Sequence, residues 1–207
     1  WRSANHYPVT FMTVFTAVAV TGVSWTGREF DAWVMAATAL ENQPWRLVAT
    51  VFPHGSVMHL LFNAMFMWQL GTRIEHVFGP LRTGAMFLGL AVVTTAAEYA
   101  FAGTGIGLWG IAFGLFGMAQ VLNRRDTRFR GIIGPGMVSW CVIWFVLCII
   151  LTYTNTMPIA NVAHGSGWLG GWLLGRAIVA RRWERRFFPV AIGALLVVGG
   201  LAVGPFR

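Results

Sequence analysis

Apolar residues run along this chain in long blocks, punctuated by arginine and glycine rather than by alternating polar positions. A helix needs about 20 mainly apolar residues to cross a bilayer. Seven stretches follow that pattern: 8–26, 57–75, 81–102, 106–122, 132–153, 160–179 and 187–204. The connections are mostly brief, with no internal repeat and no low-complexity linker. The pattern predicts an all-α integral membrane bundle of six helices, with a seventh at the C-terminal end. The connection 27–56 is the long one. It mixes Phe30, Trp33, Val34, Met35, Leu40, Trp45 and Leu47 with Arg28, Glu29, Asp31, Glu41 and Arg46, which reads as helical pieces lying in the membrane interface. The first span lacks a small-residue cleavage site in good context, so it reads as a retained helix rather than a cleaved signal peptide.

Small residues inside the spans have helical spacing. Gly107, Gly110, Gly114 and Gly117 step by 3, 4 and 3, and His164, Gly167, Gly171 and Gly175 step by 3, 4 and 4. In lipid, packing rather than hydrophobicity drives helix association, and small residues let two backbones approach closely. The two stripes are expected to face each other, carrying Trp109 and His164 to the same end of the bundle.

Composition supports the membrane reading. Of 207 residues, 57% are hydrophobic and 11% charged, against roughly 25% charged in soluble domains. The net charge is +8, and all fifteen basic residues are arginine. They sit at span ends without a basic–aromatic motif, which argues against nucleic acid and for lipid headgroups as partners. Arg73 and Arg82 flank the second connection, and Arg124, Arg125, Arg128 and Arg130 fill the fourth. Arg176, Arg181, Arg182, Arg185 and Arg186 follow span six, whereas the third and fifth connections carry no charge. The positive-inside rule then puts the N-terminus in the cytoplasm and the C-terminus outside. Arg181, Arg182, Arg185 and Arg186 read as an orientation signal in contact with lipid. Cys141 and Cys148 lie about 10 Å apart along one helix, too far for a mutual disulfide.

The polar groups that fall within apolar spans are the candidate chemistry, because such groups tend to face a bundle interior or a water-filled cavity. His54 and His59 precede and open span two, Asn63 lies one turn after His59 on the same face, and His164 opens span six. Glu98 lies inside span three, where a structural hydrogen bond is the expected role. Three histidines could gather round zinc, but they lack a spacing such as His-Glu-x-x-His. No metal and no cofactor is expected.

Several stretches together resemble the rhomboid intramembrane serine proteases. They are Pro44-Trp45-Arg46-Leu47, the run His54-Gly55-Ser56-Val57-Met58-His59-Leu60-Leu61-Phe62-Asn63, Gln69-Leu70-Gly71 with Glu75, the glycine ladder of span four, and Ala163-His164 with Gly167 and Gly171. The resemblance covers about residues 8–180 and implies a rhomboid-like membrane domain over 1–180, followed by a basic turn and seventh helix over 181–207. It implies that His164 holds the general-base position, that His59 and Asn63 hold the oxyanion positions, and that Trp45 and Arg46 form a structural motif of the first loop. The nucleophile position, flanked by Gly107 and Gly110, holds Trp109. Acyl transfer needs an attacking atom whose proton a base can remove, and indole offers only an N–H donor.

The expected function is therefore that of an inactive, pseudoprotease-type rhomboid of the bacterial cytoplasmic membrane. It would bind transmembrane helices of other proteins as a scaffold, a client-binding factor or a subunit of a larger membrane complex. The rival expectation is an active protease using another nucleophile, with Ser56, Thr104 and Ser166 as the hydroxyls to weigh. None of them has the glycine-flanked turn.

Overall fold

Residues 5–26, 33–34 and 42–180 are described by the computed structural model. The predicted span 187–204, the cluster Arg181, Arg182, Arg185 and Arg186, and most of the first loop, with Arg28, Glu29, Asp31 and Glu41, lie outside the described residues. The helices are α1 (Pro8–Ser24), α2 (Arg46–Ala49), α3 (Val57–Phe78), α4 (Pro80–Phe101), α5 (Trp109–Arg125), α6 (Met137–Tyr153) and α7 (Asn161–Val179), with a 3-10 turn at Thr127–Phe129. No strand occurs among the described residues. The all-α architecture and its six long helices follow the predicted spans in order.

Local chemistry sets the ends. Pro8 and Pro80 occupy first-turn positions of α1 and α4, where a missing N–H costs no intrahelical bond. Ser56 caps α3, its hydroxyl accepting from the His59 N–H at 3.1 Å. Gly79, at φ +78°, separates α3 from α4 in a single residue. Two helix starts differ from the prediction by three residues or more, and the ends predicted at 75 and 122 fall at Phe78 and Arg125. The fourth predicted span becomes helical at Trp109 (α5) rather than at 106, because Gly103 and Gly107 take φ of +102° and +101°, a region that breaks a right-handed helix. The fifth begins at Met137 rather than at 132, after Gly131 and Gly136 at +83° and +75°. Gly107 therefore precedes α5 and does not belong to its glycine face.

α5 is the central helix, with 13 of its 17 residues buried. It packs against α7 backbone to backbone. A Cβ at Gly167 would overlap the Gly110 carbonyl, one at Gly171 the Gly114 carbonyl, and one at Gly117 the Trp168 carbonyl. The two stripes face each other as expected, while the Cα–H edges of Gly110 and Gly114 receive Thr94 and Leu90 of α4. α6 is peripheral. It buries Cys141 and Cys148 and leaves a broad apolar face outward, with Ile143 67% exposed, as a lipid-facing helix requires. By length and apolarity alone, only α4 among the described helices meets a spanning criterion. α3 and α7 interrupt their apolar runs with the buried Asn63, Glu75 and His164.

Glu75 of α3 holds α1 in place. Its carboxylate accepts from the Val9 and Thr10 N–H groups at 2.9 and 2.8 Å and from the Thr10 hydroxyl at 2.7 Å. These are first-turn amides without intrahelical partners, at a helix end that favours negative charge.

Gly171→Ala should lower unfolding stability in mild detergent by about 3 kcal/mol, the upper part of the usual overpacking range. Gly89→Ala, whose Cβ would meet nothing within 4 Å, should be neutral or slightly stabilising. Equal behaviour of the two would refute the backbone contact.

Candidate active site

The site lies where the starts of α3, α5 and α7 meet two non-helical segments. Residues 50–55 and 103–108 run side by side. The Gly107 N–H donates to the Thr50 carbonyl at 3.3 Å, and the Thr50 hydroxyl donates to the Gly105 carbonyl at 2.9 Å. The first segment is tied to α1 through the Trp25 indole N–H, which donates to the His54 carbonyl at 3.1 Å. Trp45 and Arg46 stand at the start of this region. The Arg46 guanidinium donates to the Val34 carbonyl at 2.9 Å and lies 5.5 Å from the Trp45 ring, so the pair ties the first loop to itself.

His54 is fully buried and joins the two segments. Its Nδ1 lies 2.8 Å from the Phe52 carbonyl, and its Nε2 accepts from the Leu108 N–H at 3.3 Å. Both contacts are satisfied together by the neutral ring with its proton on Nδ1. Burial, and secondarily the nearby His59, push its pKa down to about 3, against the raising effect of the Phe52 carbonyl. The His54 and His59 rings meet edge to face at 4.8 Å. Gly107 is required beneath them, since a Cβ there would lie 2.7 Å from the His59 ring.

The resemblance-derived residues converge only in part. His59 and Asn63 share a face of α3, but the Asn63 amide N–H₂ turns back to the His59 carbonyl at 2.9 Å. Asn63 Oδ1 is buried without a hydrogen-bond partner. Trp109 and His164 do come together, with ring centroids 5.7 Å apart. Trp109 is 5% exposed and is ringed by Phe66 of α3 at 5.6 Å, Phe113 of α5 at 5.5 Å and Trp144 of α6 at 6.2 Å. His164 stacks on Phe113 at 4.9 Å with planes 7° apart, and its Nδ1 is buried without a partner. A residual cavity of about 20 Å³ lies beside both residues, walled by Thr94, Glu98, Gly107 and Ala163. That is room for about one water.

The aromatic contributors escaped the sequence reading. Phe113 lies one turn beyond Trp109, so the i+4 spacing was the available signal. Trp144 and Trp140 form a parallel pair at 5.7 Å on α6, again an i+4 pair. Glu98 was expected to make a structural hydrogen bond, but its partner was not legible. Its carboxylate accepts from the Ala163 N–H at 2.7 Å, capping the first turn of the helix that carries His164. Ser56 and Ser166 have local partners: Ser56 caps α3, and the Ser166 hydroxyl donates to the Ala163 carbonyl at 3.4 Å. Among the described residues no group of three His, Cys, Asp or Glu side chains is gathered as a metal site.

Such a frame, with a glycine-flanked turn opening one buried helix and a histidine opening another across a glycine contact, is that of the rhomboid fold. Residues 41–181 match the family model for the rhomboid domain, and the chain belongs to the rhomboid family. It is 33% identical over 136 residues to the rhomboid protease GlpG of Yersinia pestis (strain Pestoides F), covering 64% of this chain and 47% of that protein. It is 27% identical over 130 residues to the rhomboid protease GlpG of Klebsiella pneumoniae, covering 62% of this chain and 46% of that protein. The chain thus spans about half the length of the curated relatives it matches. Family membership makes it an integral membrane protein.

Trp109→Ala should destabilise the fold by about 3–5 kcal/mol, the usual cost of emptying a buried indole site, as read by unfolding in detergent. An unchanged stability would mean that the indole packs nothing. A second expectation concerns acid. With its folded pKa far below the ordinary 6.5, His54 binds a proton more readily once unfolded, so its contribution is intact above about pH 6.5 and declines as the pH falls toward 3. Thermal stability should fall across that window. His54→Gln should be less stable at neutral pH, with a shallower acid dependence. A parallel pH profile for the two proteins would contradict this reading.

Proposed function

We propose that this chain is a catalytically inactive rhomboid that binds transmembrane helices of partner proteins, as a scaffold, a client-binding factor or an accessory subunit of a larger membrane complex. The observation that carries the proposal is Trp109. The residue at the nucleophile position is an indole packed into the frame, with His164, the general-base position, lying beside it at 5.7 Å. Hydrolysis needs an attacking hydroxyl and access for water and a peptide carbonyl. The adjoining cavity of about 20 Å³ is too small for a peptide group. The rival nucleophiles Ser56 and Ser166 gain no support from their local hydrogen bonds.

The partner helix would dock from the side. The glycines between α5 and α7 are already closed against each other, so the docking surface is the outward face of α6, with Val142, Ile143, Val146 and Ile150 exposed. Packing and interhelical polar contacts would then set affinity. The arginine distribution supports an N-terminus in the cytoplasm, and the bacterial relatives support placement in a bacterial cytoplasmic membrane.

The reconstituted chain, given a model protein with a single transmembrane helix, is expected to release no product above that of its His164→Ala variant. Mild-detergent purification from native membranes is expected to retain uncut membrane partners. Cleavage abolished by His164→Ala would overturn the proposal.

A further inference from the structure

At the end of the bundle opposite His164, a cavity of about 320 Å³ opens between α5 and α7. Its walls are ordered along the helix axes. Trp168 and Trp172 line the part nearer the bundle centre, and Arg124, Arg125 and Arg176 line the outer part. On α7 the order Trp168, Trp172, Arg176 follows i+4 steps, so these side chains stack along one face. Arg176 lies about 12 Å beyond Trp168 along the axis.

The indoles are held in place. The Trp168 indole N–H donates to the Gln120 side-chain oxygen at 2.7 Å, and the Arg176 guanidinium lies 5.7 Å from the Trp172 ring. Among the described residues no carboxylate lines the cavity. The nearest acidic residue along α5, Asp126, is engaged elsewhere: the Arg128 guanidinium donates to it at 2.7 Å.

We propose that this cavity is a binding site for the phosphate headgroup of an anionic phospholipid, with the three arginines on the phosphate and the two indoles against the glycerol and upper acyl chain. Planar guanidinium groups offer paired N–H donors that match phosphate oxygens. Orientation and the C-terminal dipoles of α5 and α7 account for Arg124, Arg125 and Arg176 singly, but they do not account for a cavity of ligand size between the three, walled on its inner side by two indoles. Free phosphate would meet the arginines equally well. It would leave the indole wall without an occupant, whereas a phospholipid has charge and hydrocarbon in the same order as the cavity.

The test uses the full chain in vesicles of phosphatidylcholine containing a minor fraction of phosphatidylglycerol, followed by native mass spectrometry of the lipids that remain bound. The wild type should retain phosphatidylglycerol over phosphatidylcholine by a factor on the order of ten or more, from about three headgroup-facing charges. Arg124→Gln, Arg125→Gln and Arg176→Gln combined should bring that preference close to one. Trp172→Ala, which keeps the three arginines, should weaken retention of both lipids. It also serves as the deciding variant should the triple one fail to fold. A preference that survives the arginine substitutions would overturn the site. So would displacement of the bound lipid by millimolar inorganic phosphate, which would mark the cavity as a site for soluble phosphate.

Discussion

The contact between α5 and α7 is the constraint on which the rest of the structure depends. Two helices that meet glycine against carbonyl at Gly110–Gly167, Gly114–Gly171 and Gly117–Trp168 have little freedom to rotate, because turning either one brings a side chain against the other's backbone. That contact sets Trp109 and His164 side by side at one end. At the other end it sets Arg124 and Arg125 across from Arg176. Both candidate sites are thus products of one interface, reached from opposite membrane faces.

Three of the buried polar side chains share a second role. Glu75, Glu98 and His54 are each buried, and each accepts hydrogen bonds from backbone N–H groups of another segment. In lipid an unsatisfied amide at a helix start costs several kcal/mol, and a carboxylate from a neighbouring helix satisfies it while favouring the helix dipole. The same bonds therefore join elements. Glu75 joins α1 to α3, Glu98 joins α4 to α7, and His54 joins the first loop to the turn before Trp109.

Much of this was legible in the sequence. Long apolar blocks located six of the helices, and glycine spacing located the partner faces of α5 and α7, since backbone approach in lipid demands small residues at helical intervals. Where the reading departed from the structure, the reason was local geometry. Gly107 continues the spacing of the glycine ladder, yet its positive φ places it before the helix, under His59. Gly131 and Gly136 shortened α6 in the same way. The Glu98–Ala163 bond spans 65 positions, and no periodicity reports a hydrogen bond between two helices. The aromatic ring around Trp109 was hidden for a related reason. Phe66, Phe113 and Trp144 each read as ordinary apolar residues of their own spans, and only the three-dimensional meeting of α3, α5 and α6 makes them one cluster.

The chain belongs to the rhomboid family, and on the proposed reading the place of the nucleophile is taken by the packed Trp109 indole. An electron-density map of the protein in a lipid phase, fine enough to show side-chain rotamers and ordered water, tests that claim directly. The account predicts the Trp109 indole enclosed by Phe66, Phe113, Trp144 and His164, with at most about one water beside it. An indole turned out toward lipid, leaving His164 on an open water-filled cleft, would contradict it.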